Sequence, residues 1–172
     1  MPRGPAPATV RIRRIRRTDS DALERFYAEL SADSRILRFL GAAGAVGHAR
    51  SQTFCTTDHE HREGFVAVAC EPGGSERIVG HLCVEPDAAD SAEIAIAVAD
   101  AFQHQGIGRR LLRAAVDWAS RVGLRRLDAT AFATNSSIVR LIRSAGAPVR
   151  IDWRGGSTCE MSIDLASIRA AA

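Results

Sequence analysis

The chain contains 172 residues, of which 46% are hydrophobic and 25% are charged. A chain of this length can bury one hydrophobic core that is large enough to need no disulfide or metal ion for stability. No apolar run approaches the roughly 20 residues of a membrane-spanning helix, and the first residues lack the apolar segment of a secretory signal. These features exclude an integral membrane protein and predict one soluble domain in the cytoplasm.

All 23 basic residues are arginine, and the formal net charge is only +3. Apart from a group between Arg11 and Arg17, the arginines are dispersed and are not interleaved with aromatic residues. We therefore expect neither nucleic acid nor a membrane among the partners. Because the chain contains no lysine, it cannot acetylate a lysine side chain of its own.

The four cysteines are far apart, and Cys70 and Cys83 lie in apolar, strand-like segments. A thiol in such a segment usually packs as a small hydrophobic side chain, so we predict reduced, structural cysteines. A metal site is the alternative for one group of residues, namely Cys55, His59, Glu60, His61, Glu63 and His81. Their spacing fits no paired-ligand zinc pattern, and we predict a polar loop without a metal ion.

The first two elements are a strand and a helix. Apolar residues and arginines alternate from Val10 to Ile15, a pattern typical of a strand with one buried face. Thr18 offers a helix cap, Asp19 and Asp21 would lie at the positive end of the helix dipole, and apolar residues then recur at helical spacing. We predict a helix over residues 19–30.

The next segment contains a short helix and a hairpin. Ser31 is a suitable start for a helix that Gly41 would end, whereas residues 42–61 show no clear pattern. Phe65–Cys70 and Ile78–Val84 are rich in β-formers, and a turn containing Pro and Gly separates them. We predict two antiparallel strands here.

Strands and helices alternate in the second half of the chain. Two of its helices are followed by a glycine, which commonly ends a helix. The predicted elements are strands at Glu93–Ala99 and Leu127–Phe132, helices at Gly106–Val122 and Asn135–Ala145, and a closing hairpin of Val149–Trp153 and Cys159–Ile163.

Gly106 and Gly108 stand between a predicted strand and the longest predicted helix. Glycines allow the main chain to approach a ligand closely, and the unpaired N–H groups of a first helical turn attract a diphosphate. The third glycine of a dinucleotide-binding motif is missing, and no Gly-Lys-Ser/Thr occurs for a nucleoside triphosphate. The segment therefore predicts an anionic cofactor of another kind.

The hexapeptide from Gln103 to Gly108, QHQGIG, resembles the Q/R-x-x-G-x-G/A signature of GCN5-related N-acetyltransferases (GNAT), and the resemblance extends over nearly the whole chain. It implies an α/β (α+β) fold in one domain over residues 10–165, with a mixed, mostly antiparallel sheet of six or seven strands flanked by helices. Residues 1–9 would be a flexible leader and 166–172 a tail. The implied co-substrate is acetyl-CoA, held by the strand and loop residues Ile96, Ala97, Val98, Gln103, His104, Gln105, Gly106, Ile107, Gly108 and Arg109.

The segment from Asn135 to Gly146 is similar to the second CoA-binding motif of the same family. The similarity implies that Asn135 contacts the cofactor, although Asn is also an ordinary helix N-cap, and both roles can coexist. Many relatives have a tyrosine in this helix that protonates the leaving thiolate, but here the matching residue is Ile142. A thiolate can leave without that help because the pKa of a thiol is only about 8.5.

Glu93 is the candidate general base. A lysine-like amine has a pKa of about 10.4, so forming the neutral nucleophile at pH 7 costs roughly 4 to 5 kcal/mol. Glu93 begins the strand that would hold the cofactor, and the segment Ala92–Asp100 resembles bacterial protein lysine acetyltransferases that act on acyl-CoA synthetases, in which a Glu at this place is the base. The segment Ser31–Leu40 is similar to that branch as well. The alternative for Glu93 is a solvated residue at the start of a strand.

The acceptor is left open by the sequence. The resemblance implies a primary amine, either on a protein lysine or on a small molecule such as an aminoglycoside, and a protein N-terminal amine is a further alternative. A non-enzymatic alternative is an acyl-CoA-binding sensor, which the missing tyrosine would favour. Homodimers are frequent in the family, so a homodimer is also implied.

Overall fold

The computed structural model describes residues 9–41, 46–70, 74–153 and 156–167. Its strands are β1 Val10–Arg14, β2 Glu63–Cys70, β3 Glu76–Ala88, β4 Ser91–Val98, β5 Arg126–Phe132, β6 Val149–Asp152 and β7 Thr158–Asp164. Its α-helices are α1 Ser20–Glu29, α2 Ala32–Phe39, α3 His48–Cys55, α4 Ile107–Val122 and α5 Ser136–Arg143. Short 3-10 helices occur at Arg17–Asp19 and Asp100–Phe102.

The seven strands form one sheet in the order β1-β2-β3-β4-β5-β7-β6. Every neighbouring pair is antiparallel except β4 and β5, which are parallel and joined through α4. Parallel strands need such a crossover, because the chain must return to the same end of the sheet. The predicted α/β (α+β) fold with a mixed, mostly antiparallel sheet is confirmed.

Each face of the sheet packs against helices and forms its own hydrophobic cluster. On one face, the predicted apolar stripe of α4 is buried, with Leu111 at 0% and Trp118 at 1% exposure. On the other face, the cluster contains α1 residues Leu23, Phe26 and Tyr27, together with Val66 and Val68 of β2. We call these the α4 face and the α1 face.

The start of α1 differs from the prediction. Thr18 was expected to cap a helix beginning near residue 19, but Arg17–Asp19 is a 3-10 turn and α1 begins at Ser20. The buried Asp19 carboxylate accepts hydrogen bonds from both terminal nitrogens of Arg13, at 2.7 and 2.8 Å, and from the Arg16 N–H. Burial raises the pKa of Asp19, but the hydrogen bonds from Arg13 and Arg16, together with the positive charges of these two arginines, outweigh burial and lower it. Arg13 lies on the preceding strand, so the helical pattern could not reveal this pairing.

Residues 42–61, which show no clear pattern in the sequence, include the helix α3. α3 packs mainly against α1. Its sequence, HARSQTFC, has little amphipathic pattern, which explains why periodicity does not predict it. β3 is also longer than predicted and runs from Glu76 to Ala88.

Several predictions fall on parts of the chain that are not described. Most of the predicted leader, most of the tail, and parts of both hairpin turns (71–73 and 154–155) lie outside the described residues. In the described part of the chain, no helix is both long and apolar enough to cross a membrane.

The sheet splits between β4 and β5. These strands pair at only three positions, where Ser91, Ala92 and Glu93 face Arg126, Leu127 and Asp128. Beyond Glu93, β4 continues along β3 to Val98, whereas β5 continues along β7 to Phe132. The two strands therefore diverge and leave a gap in the middle of the sheet.

Candidate functional site

A cleft of about 440 Å³ opens where β4 and β5 part. α4 and α5 contribute to its walls, and Ser34, Leu37 and Arg38 of α2 line it as well. Ten of the residues predicted to bind the cofactor line this one cleft: Ile96, Ala97, Val98, Gln103, His104, Gly106, Ile107, Gly108, Arg109 and Asn135. Gln105 does not, because it is exposed and its side chain donates a hydrogen bond to the Ala101 carbonyl at 3.0 Å.

The β4 wall presents main-chain groups to the cleft. Ala99 directly follows β4, and its N–H donates to the Val79 carbonyl of β3 at 2.9 Å. The residues of β4 that bond to β3 are therefore those an even number of positions from Ala99, such as Ala97 and Ala95. Because successive residues of a strand direct their N–H and C=O groups to opposite sides, those of Ile94 and Ile96 point away from β3. β5 no longer pairs with β4 at these positions. An extended ligand in the cleft can therefore add to β4 as a strand would.

The two glycines of the loop have different roles. Gly106 is in the left-handed region, with φ +79°, directly before α4. Gly108 lies within α4, where a Cβ atom would be 3.3 Å from Cδ2 of Leu141, so its lack of a side chain allows α4 and α5 to pack closely. No side chain caps the start of α4, which leaves its first N–H groups pointing toward the cleft.

Cationic side chains add to this end of the cleft. Arg109 of α4 and Arg140 of α5 both line it, and none of the described lining residues is Asp or Glu. The Arg140 guanidinium donates to the hydroxyls of Ser136 and Ser137 at 3.1 and 3.2 Å. Arg140 is not among the residues predicted from the sequence, although its position one turn after Ser136 on the helix of the second motif was a usable signal. Helix N–H groups and two guanidinium groups together make this end suitable for a diphosphate.

Asn135 is the N-cap of α5, and its Oδ1 atom accepts a hydrogen bond from the Ile138 N–H at 3.2 Å. The capping alternative is therefore present, and Asn135 also lines the cleft. Ile142, at the position where the family resemblance implies a tyrosine, lines the cleft too. Tyr27 lies outside it, hydrogen-bonded to Nδ1 of His81 at 2.8 Å, and burial raises its pKa to about 12. Among the described residues, no tyrosine borders the cleft.

Glu93 is exposed and does not line the cleft, although it lies at the last paired position before β4 and β5 diverge. It has Glu85 of β3 on one side and Asp128 of β5 on the other. Glu85 is paired with Arg62 at 2.5 Å, and Asp128 with Arg126 at 2.7 Å. Within the described ranges, no ion pair involves Glu93, so its carboxylate is open to solvent.

The residues considered for a metal site do not come together as one. Glu63 is buried and binds His59 at 3.0 Å and Arg14 at 3.2 Å, while His81 is in the core beside Tyr27. Burial lowers the pKa of His81 to about 3, so the ring is neutral. The four cysteines are all free, and three are buried, whereas Cys70 is exposed. Over residues 9–41, 46–70, 74–153 and 156–167, no three His, Cys, Asp or Glu side chains are grouped to hold a metal ion.

Comparison with known proteins identifies the family. The model of the Acetyltransferase (GNAT) family matches residues 21–147. The chain is 30% identical over 141 residues to the acetyltransferase PA5475 of Pseudomonas aeruginosa, covering 80% of this chain and 74% of that protein. The chain therefore belongs to the GNAT acetyltransferase family, as the QHQGIG segment predicted. It is an N-acetyltransferase with acetyl-CoA as its co-substrate.

Solved structures share this fold. The GNAT domain of S. lividans PAT has a TM-score of 0.77 and 24% identity, with 90% of each chain covered. A GCN5-related N-acetyltransferase from Kribbella flavida has a TM-score of 0.72 and 22% identity, covering 90% of this chain and 97% of that chain. The yncA protein of Salmonella typhimurium, a putative acetyltransferase solved with acetyl-CoA, has a TM-score of 0.69 and 20% identity, covering 92% and 95%. At these identities the likeness concerns the fold.

Proposed function

We propose that the cleft binds acetyl-CoA with the pantetheine along β4 and the diphosphate at the start of α4. The observation that carries this proposal is the divergence of β4 and β5 beyond Glu93, directly beside the uncapped α4. The main-chain groups of Ile94 and Ile96 suit an extended amide-containing chain, and Arg109 and Arg140 suit its anionic end. The Salmonella neighbour with acetyl-CoA supports this placement by analogy of fold.

The acceptor in this proposal is a primary amine that approaches from the α1 face. Glu93 belongs to that face, because Ala97, four residues further along β4, packs in the α1 cluster and residues two apart share a face. Its carboxylate attracts an ammonium group and, directly or through one water molecule, accepts the proton that the amine loses. The neutral nitrogen then attacks the thioester carbonyl carbon, the C–S bond breaks, and the CoA thiolate leaves without a tyrosine.

A protein lysine side chain is the first acceptor to test, since segments around Glu93 and Arg38 resemble protein lysine acetyltransferases. A small amine or an aminoglycoside is the alternative. A catalytically silent acyl-CoA-binding sensor is the third alternative, and a turnover assay distinguishes it from the other two because a sensor transfers no acetyl group. Homodimer formation and a cytoplasmic location belong to the same proposal; light scattering of the purified protein tests the first and cell fractionation the second.

The experiment combines binding with turnover. Calorimetry should detect acetyl-CoA binding, and the Arg140→Gln variant should bind it more weakly with a smaller dependence on salt. Release of CoA thiol in the presence of lysine peptides and small amines should then identify the acceptor class. Binding without release for every amine would favour the sensor, and failure to bind acetyl-CoA would contradict the proposed site.

A further inference from the structure

Arg38 lines the cleft and brings a guanidinium group to it without an acidic partner. It lies on α2, and its Nη2 atom is 3.2 Å from the thiol sulfur of the buried Cys83. The guanidinium carbon is 4.8 Å from the ring centre of Phe39 and 5.7 Å from that of Phe54. Its Nε atom is buried without a hydrogen-bond partner. In the part of the chain that the structure describes, no carboxylate forms an ion pair with Arg38.

This arrangement is unusual for a partly buried cation. A buried charge is normally paired, because leaving it alone is costly. Arg13 of the same chain follows that rule, since Asp19 binds it with two hydrogen bonds. A thiol is only a weak acceptor, and stacking on aromatic rings stabilises a cation without using its N–H donors. The Tyr27 hydroxyl also interacts with the guanidinium, but it is neutral because burial raises the pKa of Tyr27 to about 12. The neighbours of Arg38 among the described residues therefore leave its positive charge unbalanced, which suits an anion from outside the chain.

The position of Arg38 relative to Glu93 indicates which anion. Cys83, the contact of Arg38, faces Ala95 in the β3–β4 register. Glu93 lies two residues before Ala95 on the same face, a distance of roughly 7 Å along a strand. A cationic and an anionic protein group thus flank the point where β4 and β5 part. Opposite charges on one face of the sheet are what a small molecule that carries both an amine and a carboxylate requires.

We propose that Arg38 binds the carboxylate of the acceptor, and that the acceptor is a free amino acid. This inference rests on the proposed N-acetyltransferase function, and within it favours the small-amine alternative over a protein lysine acceptor. The carboxylate takes two N–H donors of the Arg38 fork, which is the geometry that guanidinium and carboxylate groups prefer. The amine is then directed along β4 toward Glu93 and the thioester. Arg38 acts as a specificity residue and takes no part in proton transfer.

Arg50 offers a matched control. Its guanidinium carbon stacks on the same two rings, 4.7 Å from the centre of Phe39 and 5.7 Å from that of Phe54. It is exposed and does not line the cleft. Replacing Arg50 with Gln therefore removes an equivalent charge and an equivalent stacking contact without changing the proposed carboxylate site.

The test compares free amino acids with their carboxamides as acceptors, by CoA thiol release at saturating acetyl-CoA. We expect the wild type to favour the acids by about 10- to 100-fold in kcat/KM, the range that a charge-assisted hydrogen-bonded pair supports. Arg38→Gln should raise KM for the acids until the preference disappears, with kcat for the carboxamides within about twofold of wild type. Arg38→Lys should retain part of the preference, and Arg50→Gln all of it.

Calorimetric titration of an amino acid into the CoA-saturated protein gives a second measurement that needs no turnover. Binding should be present in the wild type and in Arg50→Gln, and lost in Arg38→Gln. Because the comparison of acids with carboxamides uses the wild type, it remains decisive even if Arg38→Gln does not fold.

Three results would overturn the inference. Equal use of acids and carboxamides by the wild type, or better use of lysine peptides than of amino acids, would remove the carboxylate site while leaving the N-acetyltransferase function intact. A wild type that prefers succinyl-CoA to acetyl-CoA, with Arg38→Gln abolishing that choice, would assign Arg38 to the acyl donor. A protein that binds acetyl-CoA but acetylates no amine would contradict the proposed function and the inference together.

Discussion

The side-chain amide of Gln103 donates a hydrogen bond to the hydroxyl of Ser34, 3.2 Å away, and so joins the loop before α4 to helix α2. The same amide donates to the Val98 carbonyl at 3.1 Å. Asp100 strengthens the connection by accepting hydrogen bonds from the hydroxyls of Ser31 and Ser34, each at 2.7 Å. Burial raises the pKa of Asp100, but the hydrogen bonds from the Ser31 N–H and from the two hydroxyls together outweigh burial and lower it. The proposed cofactor loop and helix α2 are therefore held as one unit.

We expect Ser34→Ala to loosen α2 and to affect acceptor binding more than acetyl-CoA binding. The change removes two hydrogen bonds of the Ser34 hydroxyl. Each typically contributes about 0.5 to 1.5 kcal/mol, so KM for the acceptor should rise roughly 5- to 150-fold. Steady-state kinetics and calorimetry of acetyl-CoA measure the two effects. A double-mutant cycle with Gln103→Ala should show that the two changes are not additive. Strict additivity would mean that the contact contributes nothing to the site.

Glu93→Gln should bind acetyl-CoA normally but lose turnover. Positioned bases contribute about 100- to 10,000-fold, and the loss should be largest near neutral pH, where most of the amine is protonated. The difference from wild type should shrink as the pH approaches the pKa of the acceptor amine. A pH profile of kcat/KM measures this. Glu85→Gln, its neighbour in register, is the control and should stay within about threefold of wild type. Unchanged turnover in Glu93→Gln would remove this residue from the mechanism.

Gly106→Ala should destabilise the fold although no atom lies within 4 Å of the added Cβ. The reason is the positive φ of +79°, which costs a non-glycine residue about 1 to 2 kcal/mol. Gly106→Asn should recover much of that loss, because Asn tolerates the left-handed region better than Ala. Urea unfolding of the three proteins measures the difference. Equal stability of the alanine and asparagine variants would contradict this account.

The buried His81 predicts a specific dependence of stability on pH. Its ordinary pKa of 6.5 falls to about 3 in the folded protein, because burial disfavours the charged ring. Below pH 6.5, His81 binds a proton in the unfolded chain but stays neutral in the folded chain. His81 therefore makes the free energy of unfolding fall as the pH decreases toward 3. The slope from one such group approaches about 1.4 kcal/mol per pH unit. Urea unfolding between pH 7 and 5 should therefore show a steeper loss for the wild type than for His81→Gln, which keeps a polar partner for Tyr27. Parallel curves of unfolding free energy against pH for the two proteins would contradict this prediction.

Features that depend on neighbouring residues in the chain were predictable. The stripe of α4, its end at Gly123, and the Gly106 loop follow from helical spacing and glycine chemistry, both of which are local. The same local motif led to the family and its co-substrate. Gly108 was predicted as a glycine that lets the main chain approach a ligand, but in the structure a side chain at this position would first meet Leu141 on another helix. A motif thus pointed to residues that line one cleft, without describing how the two helices pack there.

What only the tertiary structure decided are the contacts between residues far apart in the sequence. No local pattern places Arg38 against Cys83, Asp19 against Arg13, or Glu93 in a row with Glu85 and Asp128. Strand order and register create these neighbours, and they depend on how the whole sheet buries its two faces. Sequence alone therefore determined the class of enzyme and the loop that is proposed to bind the cofactor. The proposed acceptor end was decided by tertiary packing, because its charged groups come from α2, β3 and β4, and only the folded sheet brings them together.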